Sequence, residues 1–191
     1  TTLADKQPRT WQIEQATRIR DRLAAEPHQP IQEAIGSGHG IGKSCEASMI
    51  GQWALMTSPD TRGIITANTE AQLRTKTWPE MAKWYSLLPP EVQYLFAFES
   101  TSLHVRDKDP AKEKAWRLDA HPWSEHNTEA FAGLHNEGKR IIVLYDEASA
   151  IADKVHEVTE GALTDEKTEI LWLQYGNPTR THGRFQECWG A

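Results

Sequence analysis

Short continuous apolar runs alternate along the chain with stretches of helical period, the pattern of buried strands joined by amphipathic helices. Residues 30–35 predict a short strand, residues 63–67 (GIITA) a second, residues 141–145 (IIVLY) a third and residues 169–175 (EILWLQY) a fourth. A first helix is expected after Pro8 and Arg9, with Thr10 as N-cap, an end near Pro27, and Trp11, Ile13, Ala16, Ile19 and Leu23 on a partial apolar face. Residues 44–56 read as the helix leaving the first strand. Asn68, Thr69 and Glu70 start a long helix with its own cap and an acidic first turn, on which Leu73, Met81 and Trp84 share a face. Pro79 is expected to interrupt that helix, because its ring removes an amide donor and crowds the preceding turn.

The pattern changes over residues 94–120. YLFAF, SLHVRD and AWRLDA alternate and are punctuated by turns, with residues 107–114 as a charged loop, which predicts an antiparallel excursion or extension of the sheet. Residues 128–134 suit a short helix before the third buried strand. No internal repeat or low-complexity linker divides the chain, so residues 1–191 are expected to form one domain.

The chemistry concentrates where apolar runs stop. In IGSGHGIGKS the first strand meets a turn containing Gly36, Gly38, Gly40 and Gly42, and Lys43 and Ser44 open the next helix. Glycines let backbone N–H groups curl round an anion, and a helix N-terminus adds favourable partial charge. Lys43 then reaches the β- and γ-phosphates and the Ser44 hydroxyl holds Mg²⁺. Ser37 stands where a strict phosphate loop has glycine, and the plain alternative is a flexible glycine loop. The IIVLY run delivers Asp146 and Glu147 at its carboxyl end, a pair poorly tolerated in a core. At the mouth of a parallel sheet one carboxylate orients Mg²⁺ and its neighbour takes a proton from attacking water. The fourth strand ends in Gly176-Asn177-Pro178-Thr179, where Asn177 either senses the γ-phosphate and lytic water or belongs to an ordinary turn. Gln12 offers an amide that can pair with an adenine edge, or is a helix glutamine beside a core tryptophan.

Composition narrows the partners. The 191 residues carry 21 Lys and Arg against 27 Asp and Glu, a net charge of −6, so no broad phosphate-tracking surface is expected and any DNA contact is local, transient or supplied by other subunits. No apolar run approaches the ~20 residues of a membrane helix, and Thr1 opens no signal peptide, which fits a cytosolic home. Cys45 and Cys188 have neither CxxC spacing nor a nearby His cluster and read as buried small hydrophobes. Of the eight histidines only His39, inside the glycine loop, is placed to matter.

With Gln12, the phosphate loop, the acidic pair and the Gly-Asn-Pro strand end in this order, the chain resembles the ATPase domain of the large terminase subunit, the DNA packaging motor of tailed bacteriophages. The resemblance covers almost the whole chain and is strongest over SGHGIGKS, TANTEAQLRTKTWPE, EAFAGLH, IIVLYDEAS and GNPTRTHGRF. That family often has serine at the position of Ser37. The resemblance implies a three-layer α/β P-loop NTPase fold of the additional-strand, RecA-like type, with a mainly parallel central sheet, some antiparallel extension, and the GNPT strand between the phosphate-loop and Asp-Glu strands. It implies ATP and Mg²⁺ as cofactors, and hydrolysis that powers translocation of double-stranded viral DNA into a procapsid. Ser37, Gly38, His39, Gly40, Ile41, Gly42, Lys43 and Ser44 would hold ATP, with Gln12 reading adenine and Asn177 in the coupling motif. Ser44 and Asp146 would be the Mg²⁺ pair, Glu147 the catalytic base and Lys43 the phosphate lysine.

Family members frequently carry an arginine inside the phosphate loop where this chain has Gly38 and His39, and begin the coupling motif with Ser or Thr where it has Tyr175-Gly176. An arginine from the adjacent subunit of a homo-oligomeric ring is therefore implied, with Arg140, Arg180 and Arg184 as candidates. The implied partners are double-stranded DNA, the portal protein and the small terminase subunit on the procapsid, in the host cytoplasm and away from any membrane. The family's C-terminal nuclease site has no counterpart before Ala191, which reads as the ATPase half alone. Two rivals share these motifs: a helicase-like DNA translocase, which needs a second motor domain, and a non-hydrolysing, nucleotide-dependent assembly module. A GTPase is disfavoured because no NKxD motif occurs.

Overall fold

The computed structural model describes residues 7–124 and 129–189. In chain order these form α1 (Thr10–Ala25), β1 (Ile31–Gly36), α2 (Lys43–Thr57), β2 (Arg62–Ala67), α3 (Glu70–Gln72), a π turn (Leu73–Thr77), α4 (Trp78–Tyr85), α5 (Pro90–Leu95), β3 (Phe96–Phe98), β4 (Ser102–Val105), α6 (Pro110–Ala115), β5 (Arg117–Ala120), α7 (Glu129–Ala132), β6 (Arg140–Asp146), a 3-10 turn (Ala148–Ala150), α8 (Asp153–Ala162), β7 (Glu169–Gly176) and α9 (Arg184–Glu187).

The seven strands lie in the order β1-β7-β6-β2-β5-β4-β3. β1, β7, β6, β2 and β5 run parallel, and β4 and β3 extend the sheet antiparallel. The last strand in sequence thus sits between the phosphate-loop strand and the Asp-Glu strand, as expected. Every residue of β6 is buried. Its alternation divides the core: Ile142 and Leu144 face α1, α2 and α4 with Leu171 and Leu173, while Ile141, Val143 and Tyr145 face α7 and α8 with Ile170 and Trp172. Helices on both faces are what a run of apolar residues without polar alternation requires.

Several boundaries differ from the sequence reading. Arg9, not Thr10, is the N-cap of α1, and Ile13 is exposed while Gln12, Gln15 and Ile19 are buried. Pro79 does not stop the helix begun at Glu70. The π turn widens the backbone so that the Trp78 N–H reaches back five residues to the Leu73 carbonyl, and Pro79 follows as the second residue of α4. The charged loop contains α6, capped by Asp109, whose side chain accepts the Ala111 N–H. Tyr94 and Leu95 close α5 and are exposed, so the extension begins at Phe96. Thr128, the expected start of the short helix, lies outside the described residues. Cys188 is exposed and Cys45 half-buried. Among the described residues no helix is long and apolar enough to cross a membrane.

Candidate functional site

β1, β7 and β6 end at one edge of the sheet: Gly36 is level with Gly176 and Tyr175 with Asp146. The loop of residues 37–42 leaves that edge with the Ser37 N–H donating to the Gly176 carbonyl at 3.1 Å. A Cβ at Gly176 would stand 2.9 Å from the Phe185 ring and 3.0 Å from the Ser149 amide nitrogen, so only glycine fits where the strand passes the 3-10 turn. Gly42 has φ 94° and is the N-cap of α2, a left-handed turn that an L side chain strains to adopt.

Three consecutive loop carbonyls are held from behind by the first turn of α1. Arg9 Nη2 donates to Gly40, Trp11 Nε1 to Ile41 and Gln12 Nε2 to Gly42, at 3.2, 3.3 and 3.4 Å. Among the described residues the N–H groups of residues 38–42 have no backbone acceptor. Carbonyls tied back and amides free is the arrangement that receives an anion.

Lys43 is buried, its Nζ donating to the Ser37 and Gly38 carbonyls at 3.1 and 2.8 Å and to Asn177 Oδ1 at 2.6 Å. Burial lowers its pKa, opposed by the charges of Glu147 and Asp146. Asn177 in turn meets the His39 ring, with Nδ2 2.9 Å from Nε2 and 3.0 Å from Nδ1. Asp146 is 2 % exposed, and its Oδ2 accepts from Ser44 Oγ at 2.9 Å and from Thr77 Oγ1 at 2.7 Å. Its Oδ1 is buried with no protein hydrogen-bond partner. Glu147 follows with φ 55° and ψ 44°, a left-handed conformation uncommon for a residue with a side chain. That turn brings it to a cavity of about 670 Å³ shared with His39, Lys43 and Ser44 and walled opposite by Thr75, Lys76, Pro79, Glu80 and Lys83.

The other expected site residues fall elsewhere. Gln12 lies behind the loop, with Oε1 accepting the Arg9 N–H at 2.8 Å and Nε2 on Gly42. Both ends of its amide are engaged within the protein, where they brace the loop against the first turn of α1. A neighbouring acid meets its side chain: Glu46 is pushed up to about 7 by burial, against a hydrogen bond from Gln12. Burial also pushes Cys45 up to about 11. Arg140 opens β6 at the opposite edge of the sheet and is buried there. Arg184 is paired with Glu160 and Glu187, whereas Arg180 is exposed with no ion pair among the described residues.

No protein-family model matches the chain. The "Probable terminase, large subunit" of Enterobacteria phage P7 is 31% identical over 158 residues, which is 81% of this chain and 30% of that protein. The chain belongs to the large terminase subunits. It spans less than a third of that relative's length. Large terminase from a thermophilic bacteriophage superposes with a TM-score of 0.61 at 12% identity, over 91% of this chain and 40% of that one. The same phage's enzyme in complex with ADP superposes at 0.53 and 12% identity, over 84% and 35%. At such identity the likeness is one of fold, a P-loop α/β domain with a mostly parallel sheet.

One residue of this terminase domain that touches the carboxylate site was missed by the sequence reading. Thr77 is fully buried against Asp146. Its signal was present in the helical spacing: Leu73, Thr77, Met81 and Trp84 fall on one face, and a hydroxyl among apolar neighbours needs a buried partner.

Proposed function

We propose that this domain binds ATP with Mg²⁺ in the cavity above β1, β7 and β6, hydrolyses it, and uses the cycle to drive double-stranded viral DNA into a procapsid. The observation that carries this reading is the convergence of Lys43, Ser44 and Glu147 on one cavity from chain segments a hundred residues apart. The donor set suits Mg²⁺, which takes oxygen ligands. Ser44 Oγ and a buried Asp146 carboxylate adjoin, and Asp146 Oδ1 lacks a donor that its burial calls for. When bound there, Mg²⁺ would be held by Ser44 and Asp146 and would neutralise phosphate charge.

The chain's own groups do the rest. The free amides of residues 38–42 cradle phosphate, and Lys43 exchanges the carbonyls that now hold it for phosphate oxygens. Glu147 accepts the proton of the attacking water. Asn177, bonded to Lys43, reports whether a γ-phosphate is present, with His39 beside it. No arginine lines the cavity among the described residues. An arginine is therefore supplied by an adjacent copy in a homo-oligomeric ring, with Arg180 the favoured donor because it is exposed and has no ion pair among the described residues. The portal protein and the small terminase subunit complete the assembly in the host cytoplasm.

The test is Glu147→Ala. Phosphate release should fall by about 10²–10⁴-fold while binding of a non-hydrolysable ATP analogue persists. Hydrolysis at the wild-type rate in that variant removes Glu147 from the role of base. Failure of the unaltered protein to bind the analogue removes the reading altogether.

A further inference from the structure

We infer that Thr77 is a positioning residue for the metal-binding carboxylate, carried to Asp146 by the π turn that precedes Pro79. The inference rests on the reading of Asp146 as a Mg²⁺ ligand. Thr77 Oγ1 and Ser44 Oγ both donate to Asp146 Oδ2, at 2.7 and 2.9 Å, and leave Oδ1 with no protein partner. Two donors on one oxygen fix the rotation of the carboxylate about its own bond, and so fix where Oδ1 points. The two hydroxyls differ in their duties. Ser44 is itself a candidate ligand, and its bond to Asp146 competes with that task. The Thr77 hydroxyl has no other hydrogen-bond partner among the described residues and the residue is 0% exposed, so it holds the carboxylate whichever way Ser44 turns.

The backbone explains why a threonine arrives there. The π turn Leu73–Thr77 adds one residue to a helical turn and so rotates everything beyond it relative to a regular helix. The same turn and the helix after it supply Thr75, Lys76, Pro79, Glu80 and Lys83 to the far wall of the cavity. The Thr77–Asp146 bond is therefore a tie between that wall and the carboxylate at the end of β6. A hydroxyl that merely satisfied the core would need no such place. Outer partners of metal ligands typically contribute 10–100-fold to metal affinity.

The experiment measures binding of a fluorescent ADP to the full chain, first in EDTA and then across a Mg²⁺ titration, for the unaltered protein and for Thr77→Val, Thr77→Ser and Asp146→Asn. Thr77→Ala is the second hydroxyl-free variant should valine prevent folding. Thr77→Val should raise the half-saturating Mg²⁺ concentration about tenfold and leave affinity in EDTA unchanged, with Thr77→Ser close to the unaltered protein. A Mg²⁺ curve for Thr77→Val that overlays the unaltered protein's overturns the inference. So does an affinity that falls equally with and without Mg²⁺, because that is the mark of a purely structural hydroxyl. If Asp146→Asn keeps the full response to Mg²⁺, or the unaltered protein shows none, the underlying assignment of Asp146 fails instead and takes the inference with it.

Discussion

β6 begins and ends with a buried charge, and the two ends differ in how completely that charge is met. Arg140 at the first residue is 7% exposed, and Asp146 at the last is 2% exposed. Arg140 donates to Glu169, the Ala54 carbonyl and Thr57 Oγ1 at 2.7–3.0 Å and lies over the Trp53 ring at 5.1 Å. Around it Thr61 and Thr168 also have their partners. Asp146 has donors on one oxygen only, and the carboxyl halves of β2 and β7 add Thr66 Oγ1 and Gln174 Oε1, buried without protein partners. A fully partnered buried charge locks one edge of the sheet. A partly partnered one keeps capacity for a ligand, at a cost in stability.

The sharpest way to break this comparison is Arg140→Met. Removing the guanidinium leaves the Glu169 carboxylate and the Ala54 carbonyl without their donor, which should cost about 3–5 kcal/mol of unfolding free energy. Chemical denaturation reads the loss, and nucleotide binding per folded molecule should be unaltered. A variant with full stability and impaired hydrolysis would return Arg140 to the list of functional arginines and erase the distinction between the edges.

A second test lies behind the carboxyl edge, at His156. It is 1% exposed, packs its ring against Tyr145 and Trp172, and has Nε2 unpartnered. Burial pushes its pKa down to about 4 from an ordinary 6.5, with Asp153 raising it and Arg184 lowering it. The unfolded chain therefore binds a proton between pH 6.5 and 4 that the folded one refuses. The neutral ring's contribution is fully present above pH 6.5 and is lost as pH falls toward 4, by up to about 3 kcal/mol. His156→Gln should flatten this acid limb of the stability curve. An unchanged slope between pH 6 and 4 would show that the ring accepts protonation in place.

The strands and the order in which the chemistry arrives were legible because each depends on local composition: an uninterrupted apolar run, a glycine turn, a lysine at a helix start. What escaped depends on partners distant in sequence. Gln12 and Gln15 are polar residues on the buried face of α1, so apolar periodicity pointed to Ile13, which is exposed. Pro79 followed the rule for a regular helix until the π turn supplied the exception. Asp109 and Pro110 are a cap and first-turn pair that net charge obscured. Arg140, Arg180 and Arg184 are the same residue in sequence terms and separate only when Glu169 is seen across from the first.

The smallest effect is the most discriminating. Asp146→Asn retains a carbonyl oxygen for the donors Ser44 and Thr77, removes the desolvation of a buried charge, and introduces an N–H₂ without an acceptor at the position of Oδ1. The last two oppose each other, so unfolding free energy should move by less than about 1 kcal/mol while the response of nucleotide binding to Mg²⁺ disappears. Arg140→Met and Asp146→Asn thus remove charge from opposite ends of a single strand with opposite consequences, one for stability and the other for ligand. If Asp146→Asn unfolds the protein as readily as Arg140→Met, both ends are structural. The unpartnered Oδ1 is then a feature of packing and marks no place for a cation.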